Sequence, residues 1–251
     1  CMNAPALPHD SLAYSLLQAS QLLLQVWQGQ SLAEGQLARI PAVARPAVQD
    51  FTYSTLRDYG RGDFFLAHLL NKPLAAEEIH ALLLVALRRL EQRPEAAHTT
   101  VDQAVLAAAT LAGGHFKNLV NAVLRNFLRQ QPELTAALRA DPVAANGHPD
   151  WWLHRLQQAY PDRWQTIVAA GNQPPPMAVR VNRRRTTVSA WLSTLQASGL
   201  GGRANGAEGV LLDQAVGVDR LPGFAAGDVS VQDLGAQRAA ALLAPAPGAR
   251  V

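Results

Sequence analysis

The chain has 251 residues, 49% of them hydrophobic and 16% charged, which is enough apolar material for a packed core in one or two domains and too much for general disorder. Its longest apolar runs, such as ALLLV at 81–85, fall far short of the roughly 18 to 20 residues that cross a bilayer, and a single cysteine, Cys1, excludes an internal disulfide framework and any CxxC metal site. The net charge of +3 is mild and nearly all its positive side is arginine, since Lys72 and Lys117 are the only lysines; arginine suits phosphate, and codon usage produces the same excess.

Between Asp10 and about Ala140 the apolar residues recur at helical spacing, which predicts an all-helical half. Leu12, Leu16, Ala19, Leu23 and Val26 stripe a first helix over about 11–28, capped by Asp10 or Ser11 and ended by Gly29. Pro46 opens a second helix, and Gly60 with Gly62 is expected to break it before a third that carries Phe64, Phe65, Leu69 and Leu70 and closes at Pro73. A fourth, over 75–90, buries Ile79, Leu82, Leu83, Ala86 and Leu87, and Pro94 stops it. Thr100 and Gln103 have capping-box spacing and are expected to start a fifth helix, with Val101, Ala104, Val105, Ala108 and Leu111 inside. Gly113 and Gly114 end it before a sixth, HFKNLVNAVLRNFLRQQ, and short connections of this kind predict a helical bundle.

The pattern changes after DPVAANGHP, whose composition is that of a turn-rich linker. WWLHRLQQAYPDRWQTIVAAG still reads as helix, interrupted near Pro161. MAVRVN then alternates as a strand, VSAWLSTLQASGL is an amphipathic helix stopped by Gly199, and GVLLD is a second strand. Residues 228–232 read as a short strand, 236–243 as a helix, 245–248 as a turn and 249–251 as the opening of a further strand. The expected organisation is an all-α domain over 1–140, linker helices over 141–174 and a small α/β subdomain over 175–251.

Two basic features could carry function. On the sixth helix Lys117, Asn121, Arg125 and Arg129 stand four residues apart along one flank. Like charges at that spacing repel slightly, so helix stability does not ask for them, whereas a run of phosphates would. The competing reading is a solvated helix edge, with Asn121 hydrogen-bonding a neighbouring helix. In AVRVNRRRTT, Arg180, Arg183, Arg184 and Arg185 concentrate where a strand enters a turn, and Arg180 shares a strand face with Asn182, opposite Val179 and Val181. Phosphate contact favours such a cluster; a solubilising turn would also carry it, since nothing acidic lies nearby in sequence. Trp151, Trp152 and Trp164 could stack on bases but, in an amphipathic helix, are expected to pack in a core. The seven histidines show no metal-ligand spacing, and neither a Walker loop, a GxGxxG nor a catalytic triad signature occurs.

SLAYSLLQASQLLLQVWQGQSL, FTYSTLRDYGRGDFFLAHLL and VDQAVLAAATLAGGHFKNLVNAVLRNFLR together resemble the NusB-like domain of the bacterial ribosomal RNA cytosine-C5 methyltransferase family called RsmB or Sun. HPDWWLHRLQQAYPDRW, PPPMAVRVNRRRTT and LPGFAAGDVSVQDLGAQRAAALLAPAPGARV are similar to that family's linker helices and small pre-catalytic subdomain, in family order. The resemblance implies an all-α NusB-like bundle, then an RRM-like α/β subdomain, with a Rossmann-like catalytic domain expected beyond residue 251. It implies 16S rRNA as partner, S-adenosylmethionine as methyl donor of the longer parent, and two catalytic cysteines that are absent from residues 1–251. This stretch alone is therefore expected to be inactive and to hold no cofactor tightly. VSVQDLGAQ corresponds to the family segment beside the cofactor pocket, which makes Gln232 and Asp233 candidates for its near edge, although Leu234 and Gly235 stand where the family more often has an acidic residue and serine. The first 38 residues hold no lysine or arginine, whereas relatives often carry arginine there. A monomer in the cytoplasm, without membrane or metal, is expected. A stand-alone NusB-like antitermination module and a protein-interaction domain are the rival readings.

Overall fold

Ser11 starts the first helix: its hydroxyl accepts the amide of Tyr14 at 3.1 Å, and α1 runs Leu12–Trp27. The computed structural model describes residues 6–32, 35–246 and 248–250, so Cys1 and Val251 lie outside it. Helices α2 (Arg45–Arg57), α3 (Tyr59–Leu69), α4 (Glu77–Gln92), α5 (Ala97–Ala108) and α6 (Lys117–Ala140) follow, and the contacts group residues up to Asn172 as one unit. α4 is its centre. Every residue from 81 to 87 is buried, so the middle of this helix is apolar all round while its ends are charged, and α1, α2, α3, α5 and α6 pack against it.

Three expectations for this unit are corrected. Gly60 and Gly62 do not separate α2 from α3, because the break falls at Asp58 and both glycines lie inside α3. Gly62 is instead a close-packing residue: a Cβ there would stand 2.7 Å from Cδ2 of Leu84 on α4. The Thr100–Gln103 capping box does not form, since Pro94 sets a 3-10 turn that leads directly into α5. Thr100 is interior, donating its hydroxyl to the Ala96 carbonyl at 3.0 Å, while the Gln103 side-chain oxygen accepts the Ala13 amide at 3.2 Å and so caps α1 from another helix. Finally, α6 continues past the expected segment with Pro132 inside it, its apolar face kept by Leu134 and Leu138. The turn-like 141–149 contains a short helix, α7 (Pro142–Asn146), because Asp141 accepts the amides of Val143 and Ala144 at 2.9 Å. α8 (Asp150–Ala159) and α9 (Trp164–Gly171) complete the unit.

Residues from Gln173 onward form a second unit. β1 (Ala178–Val181), β2 (Gly202–Asn205), β3 (Gly209–Leu212) and β4 (Val229–Val231) make an antiparallel sheet in the order β2-β3-β1-β4. One face packs Val179, Val181, Val210, Leu212 and Val229 under Trp191 and Leu195 of α10 (Val188–Ala197). The indole N–H of Trp191 donates to the Pro222 carbonyl at 2.9 Å and ties down the loop before β4. β2, sequence GRAN, carries no strand-forming side chain and was not expected; its pairing with β3 from Gly202↔Leu212 to Asn205↔Gly209 creates it. The late helix α11 spans Arg238–Leu243. No strand opens at Ala249 and Arg250, where the Ala249 amide closes a turn onto the Ala246 carbonyl at 3.0 Å.

Candidate nucleic-acid interface

β1 delivers Arg180 to the face of the sheet opposite the core. Its partners in register are Gly209 on β3 and Ser230 on β4, and Leu234 with Gln237 packs over Gly209. Asn182, just after the strand, shapes the turn into α10: its amide donates to the Gly227 carbonyl at 3.0 Å and its side-chain oxygen accepts the Arg184 amide at 3.1 Å. The chain therefore bends tightly, with the amides of Arg185 and Thr186 bonding back to the Asn182 carbonyl, and Thr187 caps α10. The turn presents Arg183, Arg184 and Arg185 to solvent. Arg180, Asn182, Arg183, Arg184, Glu208 and Ser230 line an open cleft of about 560 Å³.

The absence of acids around these arginines, read from sequence neighbours, does not hold in space. Glu208 lies 2.6 Å from Arg180 Nε and 3.8 Å from Arg183, and Asp228 lies 2.7 Å from Arg185 Nε. Only the β1–β3 and β1–β4 registers bring these carboxylates in, so nothing in the linear sequence reveals them. Two carboxylates against four guanidiniums leave a local surplus of positive charge, and among the described residues the Arg184 guanidinium has no partner. Arg183 and Arg184 are the groups best placed to take phosphate oxygens without first giving up a short ion pair.

α6 runs unbroken through all four ladder positions and keeps their four-residue spacing. Lys117, Arg125 and Arg129 are exposed; Arg125 Nε donates to the Asn121 side-chain oxygen at 2.9 Å, and Arg129 donates to Asn126. Asn121 thus holds a basic side chain of its own helix rather than bonding a neighbouring helix. Elsewhere in the helical unit, burial and then the neighbouring Asp63 carboxylate raise the Tyr59 phenol above its usual range, while burial and then Arg93 lower Arg89.

Gln232 and Asp233 follow β4 in the turn that leads to α11. Asp233 spends its carboxylate on the amides of Gly235 and Ala236 at 2.7 and 3.2 Å, and the Gln232 carbonyl takes the Gln237 amide group at 3.1 Å. Neither residue lines a described cleft. Among the described residues no cluster of three His, Cys, Asp or Glu could hold a metal ion, and no helix is long and apolar enough to cross a membrane.

Comparison with known proteins extends this picture. Residues 14–129 match the NusB family, and residues 148–219 match the RsmF/B-like methyltransferase ferredoxin-like domain. The chain is 40% identical over 243 residues to ribosomal RNA small subunit methyltransferase B of Pseudomonas putida, covering 94% of this chain and 56% of that protein. Its likeness to the proteins of the same name is 38% over 237 residues in Pasteurella multocida, covering 92% and 52%, and 36% over 241 residues in Escherichia coli O6:H1, covering 93% and 56%. The chain thus spans about half the length of the curated relatives it matches. Among solved structures, the crystal structure of PH0851 superposes with a TM-score of 0.70 at 14% identity, covering 98% of this chain and 57% of that one, a likeness of fold.

Proposed function

From the premise that the chain is a homologue of ribosomal RNA small subunit methyltransferase B, with a NusB-family domain followed by an RsmF/B-like ferredoxin-like domain, we propose that it binds and positions 16S rRNA for methylation. The longer protein would transfer a methyl group from S-adenosylmethionine to C5 of a cytosine. That chemistry requires a thiolate to add at C6, which makes C5 a carbon nucleophile, and a second cysteine to help remove the C5 proton. Residues 1–251 carry one cysteine, so their own contribution is recognition, not methyl transfer.

The observation that carries the RNA part of this reading is the turn after β1, where Arg183 and Arg184 are exposed at the mouth of an open cleft. Phosphate contact makes affinity fall with salt in proportion to the number of phosphates neutralised. In a filter-binding titration with a 16S rRNA fragment, Arg183→Ala with Arg184→Ala is expected to weaken binding and flatten the salt slope. Lys117→Ala and Arg125→Ala should do so more modestly. Methyl transfer from labelled S-adenosylmethionine by residues 1–251 alone would refute the division of labour. Salt-independent RNA binding, or none, would favour a protein-interaction domain.

A further inference from the structure

α8 carries a tryptophan that the fold does not use. Leu153 is buried at 3% exposure and Trp152 is half-buried, its ring stacked on His148 with centroids 4.3 Å apart and planes 17° from parallel. Adjacent residues on a helix point about 100° apart, so with Leu153 inward Trp151 is driven to the far side, where it is 61% exposed. This overturns core packing for that ring. Residues 151, 154, 155 and 158 share one helical stripe, and Trp151, His154, Arg155 and Gln158 are all exposed along it. The Arg155 guanidinium lies 5.7 Å from the centroid of the Trp151 ring. The helix's one carboxylate, Asp150, borders the N-terminal end of this stripe, four residues before His154 and about 140° around the helix from Arg155.

We infer that this face of α8 is a stacking site for an unpaired base of single-stranded RNA, with Trp151 as the platform and Arg155 taking the adjacent phosphate. The inference rests on the RNA-binding reading above and adds a second contact of a different physical kind. An exposed indole offers a π-face to any base, and a guanidinium held beside the ring meets the backbone that the base hangs from. A duplex offers no such base, because its faces are already stacked. Charge complementarity selects a polyanion over an apolar protein surface: covering the ring with an apolar partner would take the Arg155 charge out of water without a counter-charge.

The test uses the whole chain, a labelled single-stranded 16S rRNA oligonucleotide and the same sequence annealed to its complement. Trp151→Ala is expected to weaken single-strand binding about tenfold, the scale of one base–aromatic stack, while leaving duplex binding and the salt slope unchanged. Trp151→Phe, which keeps a π-face, should restore most of the affinity, and Arg155→Ala should lower both affinity and salt slope. If Trp151→Ala binds single strands like the wild type while the Arg183 and Arg184 variants are impaired, the stacking site is wrong and RNA binding stands. If the wild type binds no RNA, both fail. Self-association that Trp151→Ala abolishes, with RNA binding untouched, would assign the ring to a protein contact and overturn the inference.

Discussion

Glu208 separates two ways in which a carboxylate can act among arginines. It accepts from Arg180 Nε at 2.6 Å, so it fixes that side chain, and its charge opposes any polyanion that approaches the cleft. Glu208→Gln keeps an acceptor for Arg180 and removes the charge alone. At a partly exposed site the pair contributes little to stability, so the charge term decides. RNA binding by Glu208→Gln should tighten several-fold at low salt, with a steeper salt dependence in filter binding. Weaker binding would mean that orientation of Arg180 and Arg183 outweighs charge. Gly62 and Gly60 make a second residue-scale contrast. A methyl at Gly62 would meet Leu84, which is only 1% exposed, whereas one at Gly60 meets nothing within 4 Å. Overpacking of about 1–3 kcal/mol exceeds the helix-propensity gain of about 1 kcal/mol, so Gly62→Ala should lower the melting temperature while Gly60→Ala leaves it unchanged or slightly raised.

Helices were legible wherever an apolar stripe and a stop residue agreed, as at α1, α4 and α10, because periodicity reports the buried face directly. Signals that depend on a partner elsewhere were not. Thr100 and Gln103 have capping-box spacing, yet the glutamine serves α1, ninety residues away in sequence, and no local rule distinguishes the two uses. β2 exists through pairing alone, and the acids beside the arginine cluster arrive through strand register. The arginines themselves could be read from AVRVNRRRTT; their ion pairs could not. The reassigned glutamine is testable. Gln103→Ala removes the acceptor of the Ala13 amide at the start of α1, a loss of about 1 kcal/mol by urea denaturation. Thr100→Ser keeps the hydroxyl that donates to Ala96, removes a methyl at a fully buried site and should cost stability through packing rather than through a lost cap.

Most buried apolar side chains among the described residues fall into two clusters. The first contains buried residues from Ala13 to Ala144 and the second contains eight from Val179 to Val229, with no residue in common. A unit of fewer than about 80 residues with so few fully buried side chains sits near the lower limit of independent stability, whereas the helical unit buries the middle of α4 on all sides. Each core should therefore open on its own. The surface exposed on unfolding sets the denaturant dependence, so the smaller unit should open with the smaller slope and the lower free energy. Native-state hydrogen exchange in increasing urea reads both together. The sheet amides of Val181 and Leu212, bonded to the carbonyls of Glu208 and Met177, should exchange through an opening of low urea dependence. The amides of α4 should exchange only through a larger and more costly opening. Merging of the two sets onto one isotherm at all urea concentrations would show a single cooperative unit. In that case a substitution such as Gly62→Ala would also loosen the arginine turn after β1, and its effect on RNA affinity would have to be read as a change in folding.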